Sequence, residues 1–549
     1  MELFPPQPIS MGTDNSFSAL NDDVLCEFFE LMSDIDPPRA RANEVIGPGE
    51  VRFRLGWIYL THVNRRWRQL LLSLHSLWAK VFSVMPESAL DEALSRAGNA
   101  PLHITLDHNQ YSPRYKKLTA LATTAMGRVS VLSNPNTFNW YTSLHDKDLP
   151  NLLALDILQK TQPSSNMLLR APKLQSCKLY NMPTMVIAPH LRRLVVEHSL
   201  PSPVHCFLDM LNNLSHLEHL DVILLAKGPI TWSGNNCPTV ILSRLHNLHL
   251  FGTQQSDIIG FWQKLVLPDD MRDLRIAYRG NAGWGPVVDT FAPRLTHESY
   301  NALAFLRGQG DLFRLRAFHF DADEPGVLDP GMDHLGVSLE IIPESDGEEE
   351  SDRDEGDDSD GDPLLQYVLP RVLSNFEGKE GQIEHMSFDC FNEFELFDEL
   401  EDDPDYQPRV VLRDELCPFS SVISVSGRFT DFDFSVLEVS DDEDDEEDGC
   451  VFPKLVKLIG RVDAMNSGPE SMQDHWNELN TLFKNRSHAG VPIPRLHFIG
   501  YMFPGRRGKE EADAAMAEGL RVARMNGLQE FVDRRETLRA EGGIISMPA

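Results

Sequence analysis

Positive charge is scarce in this chain. Fifty lysines and arginines stand against 83 aspartates and glutamates, a formal charge of −33. A DNA or RNA binder gains affinity by neutralising many phosphates. One short basic cluster, Arg65, Arg66 and Arg68, is no such footprint, so nucleic acid is not an expected partner. The excess acid is local: residues 344–362 hold 12 acids and one arginine, 398–405 hold 6 acids and 438–448 hold 9, which accounts for −26 of the −33. The remainder reads as an ordinary surface.

Long apolar runs are missing too. Nothing approaches the ~18 residues of a membrane helix, and MELFPPQPISMGTDN has neither the basic nor the apolar segment of a secretory signal. Cysteine is sparse: Cys26, Cys177, Cys206, Cys237, Cys390, Cys417 and Cys450 lie far apart, with no CxxC pair. That argues against a disulfide framework or a cysteine zinc site and fits a reducing compartment. The expectation is a soluble protein, cytoplasmic or nuclear, with no membrane association.

Catalytic constellations are absent as well. His216 and His219 in HLEHLD lie three apart without the carboxylate and histidine spacing of a hydrolytic metal site. The paired acids sit in runs where geometry cannot be held for acid–base work. GRRGKE lacks the spacing and following Ser or Thr of a phosphate loop. No enzyme activity, cofactor or metal is expected of this chain.

What is present begins with helices. At 549 residues and 42% hydrophobic content, the chain exceeds one ordinary core and can fill several modules or an extended repeat. In FSALNDDVLCEFFELMSDIDPPR, Asn21, or Asp22 one step on, can cap a helix whose Val24, Leu25, Phe28, Phe29, Leu31 and Met32 recur at helical spacing. Asp22, Asp23 and Glu27 sit near its positive end, and Pro37 and Pro38 stop it. PPRARANEVIGPGEVRFR, without apolar periodicity, reads as a loop. Helix resumes at Leu55. In LTHVNRRWRQLLLSLHSLW, Leu60, Val63, Trp67, Leu70, Leu71, Leu74, Leu77 and Trp78 form an apolar stripe, and Arg65, Arg66 and Arg68 project elsewhere.

Together, LNDDVLCEFFELM and LTHVNRRWRQLLLSLHSLWAKV resemble an F-box, in the form with a long inter-helix loop common in mushroom-forming fungi. Leu20, Asp22, Val24, Leu25, Phe28, Phe29, Leu31, Val63, Arg66, Trp67, Leu77 and Trp78 match the family pattern, and Asn21 stands in place of its usual proline. The resemblance implies docking onto a Skp-type adaptor and through it a cullin, with Leu20, Val24, Phe28, Leu31, Val63, Arg66 and Trp67 as adaptor-binding residues. A module this short cannot bury two tryptophans, adjacent phenylalanines and a ladder of leucines by itself, which leaves apolar surface for a partner. Val63 and Trp67 are expected on that surface, and Leu74 to Trp78 in the module's own core.

A helix from Glu87 to Ala97 and a short strand lead into a repeated pattern of apolar residues, x-x and x apart. It occurs at Leu152/Leu155/Ile157, Leu174/Cys177/Leu179, Leu191/Leu194/Val196, Leu217/Leu220/Val222, Leu245/Leu248/Leu250, Met271/Leu274/Ile276 and Leu315/Phe318/Phe320. Intervals of 22, 17, 26, 28, 26 and 44 residues leave room for a degenerate copy at APRLTHESY, and looser copies recur at IEHMSFDCF, FPKLVKLIG and IPRLHFIGY. These are leucine-rich-repeat intervals, similar to the degenerate repeats that often follow an F-box; the alternative is unrelated strands of an α/β fold. The prolines of LPNLLALDI, APKLQSCKL and APHLRRLVV suit the beginning of a strand, where no amide proton is needed.

If the apolar side chains of each strand face the core, the alternate positions line the opposite surface. One column then reads Ser176, Arg193, His219, Asn247, Asp273, and its neighbour Lys178, Val195, Asp221, His249, Arg275, with His319 further along. Lys178, Arg193, His219, Asp221, Asn247, His249, Arg275 and His319 are the candidate client-binding residues. The acidic runs read as disordered insertions or long loops. Ser345, Ser351, Ser359 and Ser440 each have an acid three residues on, which suits an acidophilic kinase; a solubilising spacer is the plainer role. The segment GKEEADAAMAEGLRVARMNGLQEFVDRRETLRA reads as one amphipathic helix broken or weakened near Gly519 and Gly527 and closing the repeat stack.

The expected fold is α+β, or an α/β repeat: a helical F-box followed by an irregular leucine-rich-repeat-like solenoid with disordered acidic insertions. The divisions are a disordered 1–16, the F-box-like 17–82, a linking helix and first strands at 83–148 and the solenoid at 149–340. An acidic insertion follows at 341–363, then continued repeats at 364–505 interrupted at 398–405 and 438–448, and a C-terminal helix and tail at 506–549. The function expected from the resemblance is substrate recognition in a Skp-cullin-F-box ubiquitin ligase, with an unidentified client protein. The alternative is a stand-alone leucine-rich-repeat interaction scaffold with no ligase role.

Overall fold

The computed structural model describes residues 20–45, 51–106, 110–320, 336–342, 363–388, 413–428, 434–437, 450–462 and 469–537, with breaks of five residues or fewer inside these ranges. The three acidic runs, and with them Ser345, Ser351, Ser359 and Ser440, lie outside the described residues. The fold is mixed α/β with a large, mostly parallel sheet. The chain divides into two compact units, Met1–Leu217 and Glu218–Ala549.

The first unit opens with helix α1, Asp22–Ile35. Asn21 is its cap: extended at φ −73° and ψ 166°, it accepts a hydrogen bond from the Val24 amide at 2.8 Å. The helix ends before Pro37 and Pro38, as expected. The segment expected as a loop instead pairs with itself, β1 (Arg39–Val45) running antiparallel to β2 (Val51–Arg54). Pairing between two strands satisfies backbone donors and acceptors whatever the side chains, so a segment without apolar periodicity can still form a ladder.

The single stripe expected from Leu60 to Trp78 is three helices. A 3-10 turn covers Gly56–His62, α2 covers Arg65–Ser73 and α3 covers His75–Val81. Asn64 makes the first break, its side chain accepting from the Trp67 amide at 2.8 Å. Trp57 and Trp78 pack edge to face at 5.5 Å in the module's core, and the Trp78 indole donates to the Leu71 carbonyl at 2.9 Å. Gly56 has φ +54°, and a Cβ there would run into the Asp36 and Pro37 backbone. Helix α4, Glu87–Ala97, follows.

The strands of this unit are β3 (Leu102–Thr105), β4 (Val129–Phe138), β5 (Lys147–Asp148), β6 (Ala154–Gln159), β7 (Met167–Arg170), β8 (Ser176–Tyr180), β9 (Thr184–Ile187) and β10 (Arg193–Glu197). β3, β4, β6, β8 and β10 form one parallel sheet; β5, β7 and β9 form another. The prolines lie ahead of the strands rather than at their first residue. Pro150, Pro172 and Pro189 follow Leu149, Ala171 and Ala188, whose carbonyls accept from the amides of Leu152, Leu174 and Leu191 three residues on. Proline is therefore at the second position of a β-turn, where its fixed φ fits.

The second unit holds β11 (His219–Leu224), β12 (Val240–Ile241), β13 (Asn247–Gly252), β14 (Leu265–Val266), β15 (Asp273–Arg279), β16 (Ala302–Arg307), β17 (Phe313–Phe318), β18 (Gly336–Ile342), β19 (His385–Phe388), β20 (Ser424–Arg428), β21 (Lys457–Val462), β22 (Arg495–Met502) and β23 (Glu530–Asp533). Its main sheet runs β11-β13-β15-β18-β17-β16-β19-β20-β21-β22-β23, every pairing parallel except the two made by β17. Helices at 255–262, 284–295, 363–374, 469–488 and 506–525 link successive strands. On one face Leu248, Leu250, Leu274, Ile276, Leu339 and Leu458 are buried.

One backbone device recurs in both units. At the beginning of a strand, two successive amides donate to the carbonyl just ahead of the neighbouring strand: Gln175 and Ser176 to Leu153, His246 and Asn247 to Glu218, Ile423 and Ser424 to Glu384, Gln529 and Glu530 to Pro494. Glu384 and His385 do the same to Asn301, so the strands at 385–388, 424–428 and 530–533 obey the same local rule as the better-patterned ones.

Three expectations are corrected. APRLTHESY is not a strand: Ala292–Leu295 is the end of a helix beginning at Trp284. Leu315/Phe318/Phe320 is no parallel copy, because β17 is antiparallel to both neighbours. The last helix ends at Met525, and Gly527 at φ +66° leads into β23. The helix is not broken at Gly519, whose missing Cβ admits the rings of Phe531 and Trp476.

Candidate functional site

Two surfaces emerge, one on the helices of the first unit and one on the strands. Helix α1 is apolar on two sides. Leu25 and Phe29 are fully buried, whereas Val24, Leu31 and Ile35 are 45%, 58% and 66% exposed. Together with half-buried Phe28 they form a second stripe at 24, 28, 31 and 35, the spacing of one helix face. Tyr59 and Val63, each 57% exposed, add apolar surface from the 3-10 turn and its C-cap. Fully burying any one such side chain is worth about 1.5–3 kcal/mol, so leaving five of them in water is a feature to explain.

The seven expected adaptor-binding residues separate into classes. Val24, Leu31 and Val63 are exposed; Leu20 and Phe28 are half-buried. Trp67 is not a surface residue. It is 6% exposed, its ring 5.3 Å from Phe29 and 5.8 Å from Phe28, so the phenylalanines of α1 complete its burial. Arg66 is a clasp: its guanidinium donates to Asp22 at 2.6 and 2.9 Å and to the Leu20 carbonyl at 2.6 Å, holding α2 against the beginning of α1. Arg68 donates to the Thr61 carbonyl at 2.9 Å. Ile35 and Tyr59 were missed, although the step from Leu31 to Ile35 was legible.

The strand columns are in register within each unit. Ala154, Ser176 and Arg193 lie side by side, as do Asp156, Lys178 and Val195. In the second unit His219, Asn247 and Asp273 align, and next to them Asp221, His249, Arg275 and Ser338. His319 does not join them. It lies one residue past β17 and is exposed, and the aligned positions of β17 are Arg316 and Phe318.

The most developed polar cluster centres on His249. Its Nδ1 lies 3.1 Å from Asp221 and its Nε2 3.0 Å from Asp273, while Arg275 Nε is 3.1 Å from the same Asp273. Burial disfavours the imidazolium, but the hydrogen bonds it donates to both carboxylates, with the attraction of their charges, outweigh burial and raise the pKa to about 9. Burial pushes Asp273 up, and His249 and Arg275 together hold its pKa below the usual carboxylate value. His249 is thus a fixed cation at neutral pH. On β8, Lys178 pairs with Asp156 at 3.6 Å.

The polar rows continue onto strands with a weaker apolar pattern. Arg316, Ser338, His385, Ser387, Ser424 and Ser426 are all buried on the same side of the sheet, with His385 stacked on Phe320 at 4.2 Å. Serine alternating with apolar residues in HMSF and SVSGR was the signal for these strands.

Among the described residues no helix is long and apolar enough to cross a membrane, and no group of three or more His, Cys, Asp or Glu side chains could hold a metal ion. No known family's sequence profile matches the chain, and no curated protein matches it either.

Proposed function

We propose that this protein is the substrate-recognition subunit of a Skp-cullin-F-box ubiquitin ligase in the cytoplasm or nucleus. Residues 17–82 act as an F-box that binds a Skp-type adaptor and through it a cullin. The strand repeats form a leucine-rich-repeat-like solenoid whose polar columns receive a client protein. The observation that carries the reading is the outer stripe of α1: Val24, Leu31 and Ile35 remain in water on a helix whose other apolar side is already buried. Such a stripe fits a groove in another protein. The chain would then contribute proximity rather than chemistry, holding client lysines near an activated ubiquitin.

Co-precipitation with a purified Skp-type adaptor tests this. The wild-type chain retains the adaptor, and Leu31→Asp with Val63→Asp loses it while keeping its melting transition, because both side chains are exposed. An adaptor that fails to bind the wild type rejects the ligase role and leaves a stand-alone scaffold.

A further inference from the structure

The outer face of α1 carries charge as well as apolar surface. Asp23, Glu27, Glu30 and Asp34 repeat the 4-3-4 spacing of Val24, Phe28, Leu31 and Ile35, one residue ahead. At 3.6 residues per turn the acidic stripe lies about 100° round the helix from the apolar one. It therefore borders the apolar stripe on one side only. The opposite border is Met32 and the buried face of Leu25 and Phe29.

Among the described residues most of that negative charge is uncompensated. Asp34 has Lys80 at 3.4 Å, and Asp22 is taken up by Arg66. Among the described residues Asp23, Glu27 and Glu30 make no ion pair, and all three are exposed. Like charges three and four residues apart destabilise a helix. Their field is felt locally: burial first, then Asp22, Asp23 and Glu30, raise the pKa of the Cys26 thiol.

We infer that the partner seated on α1 presents an apolar groove with lysines or arginines along one rim only, and that pairing with Asp23, Glu27 and Glu30 sets the direction in which the helix lies. This rests on the adaptor reading and adds to it a polarity. One-sided charge distinguishes the two ways an apolar helix can lie in a groove, since the reversed helix would present its acids to the uncharged rim.

Titration calorimetry of the full chain with a recombinant Skp-type adaptor tests the inference. Wild-type affinity falls about tenfold between about 50 mM and about 500 mM NaCl. Glu27→Lys with Glu30→Lys binds about tenfold more weakly at the lower salt and loses the salt dependence; Glu27→Gln with Glu30→Gln lies between. Leu31→Asp abolishes binding at both salts. Equal affinity of wild type and the lysine double variant, with no salt dependence, overturns the charged rim and leaves adaptor binding intact. Absence of wild-type binding at either salt overturns the adaptor reading itself. A homodimer of the lone chain that Leu31→Asp dissociates assigns the face to a second copy and overturns the inference. Thermal melts of each variant at the wild-type midpoint establish that the fold is kept.

Discussion

His249 offers a quantitative handle on the second unit. Replacing it by glutamine removes a cation held between Asp221 and Asp273 at 3.1 and 3.0 Å. The interval between an unfolded value of 6.5 and a folded pKa of about 9 corresponds to roughly 3 kcal/mol. The imidazole is 37% exposed, and solvent screening reduces that to about 1–2 kcal/mol. Because folding raises this pKa, the stabilisation is complete below pH 6.5 and is lost as pH rises through about 9. Scanning calorimetry at pH 6, 8 and 10 measures it. His249→Gln should lower the midpoint of the transition that includes β13 by roughly 2–5 °C at pH 6, and the gap should close by pH 10. A gap that is equal at pH 6 and pH 10, or absent at pH 6, refutes the clamped imidazolium.

Other perturbations separate packing from docking. Trp67→Ala should cost about 3–5 kcal/mol in denaturant titration, as a buried aromatic does, whereas Leu31→Asp on the same module should stay within about 0.5 kcal/mol of wild type; equal costs would contradict the assignment of inner and outer faces. Arg66→Met severs the contacts to Asp22 and Leu20 and should lower stability by about 1 kcal/mol, read from the same titration. Arg486 is fully buried and donates to the Leu437, Val451 and Phe452 carbonyls at 3.0, 2.9 and 2.8 Å, joining the two sides of the 438–448 run. Arg486→Met should cost about 3 kcal/mol or more by leaving those carbonyls unpaired, while replacing 440–448 with a short glycine-serine linker should move the melting midpoint by no more than about 2 °C.

The legible parts of this molecule are those where apolar period and backbone geometry agree. Leu155/Ile157, Leu220/Val222 and Leu248/Leu250 alternate with polar residues in half-exposed strands, so the period of two revealed both the strands and their columns. β18 and β20 alternate polar with apolar residues in VSLEI and SVS, but His334 ahead of the one and Gly427 in the other stand where the repeated pattern requires an apolar residue. From Leu60 to Trp78 the spacing of the leucines predicts one stripe, although Asn64 has the chemistry to cap and restart the helix. Trp67 was assigned outward because sequence spacing does not reveal that Phe28 and Phe29 close over it. The outer face of α1 was visible in the same residues, but separating it from the inner face required knowing where α2 packs.

Hydrogen exchange followed by mass spectrometry reports directly on whether the outer face of α1 is covered by a partner. In the lone protein, backbone amides across 22–35 and 56–63 exchange at a rate set by the local opening of the module. On addition of a saturating Skp-type adaptor, peptides from these two segments should gain protection, with no comparable gain in the Leu31→Asp, Val63→Asp variant. Exchange that is unchanged across 22–35 when the adaptor is present, or protection that appears only on strands such as 247–252, would contradict the account.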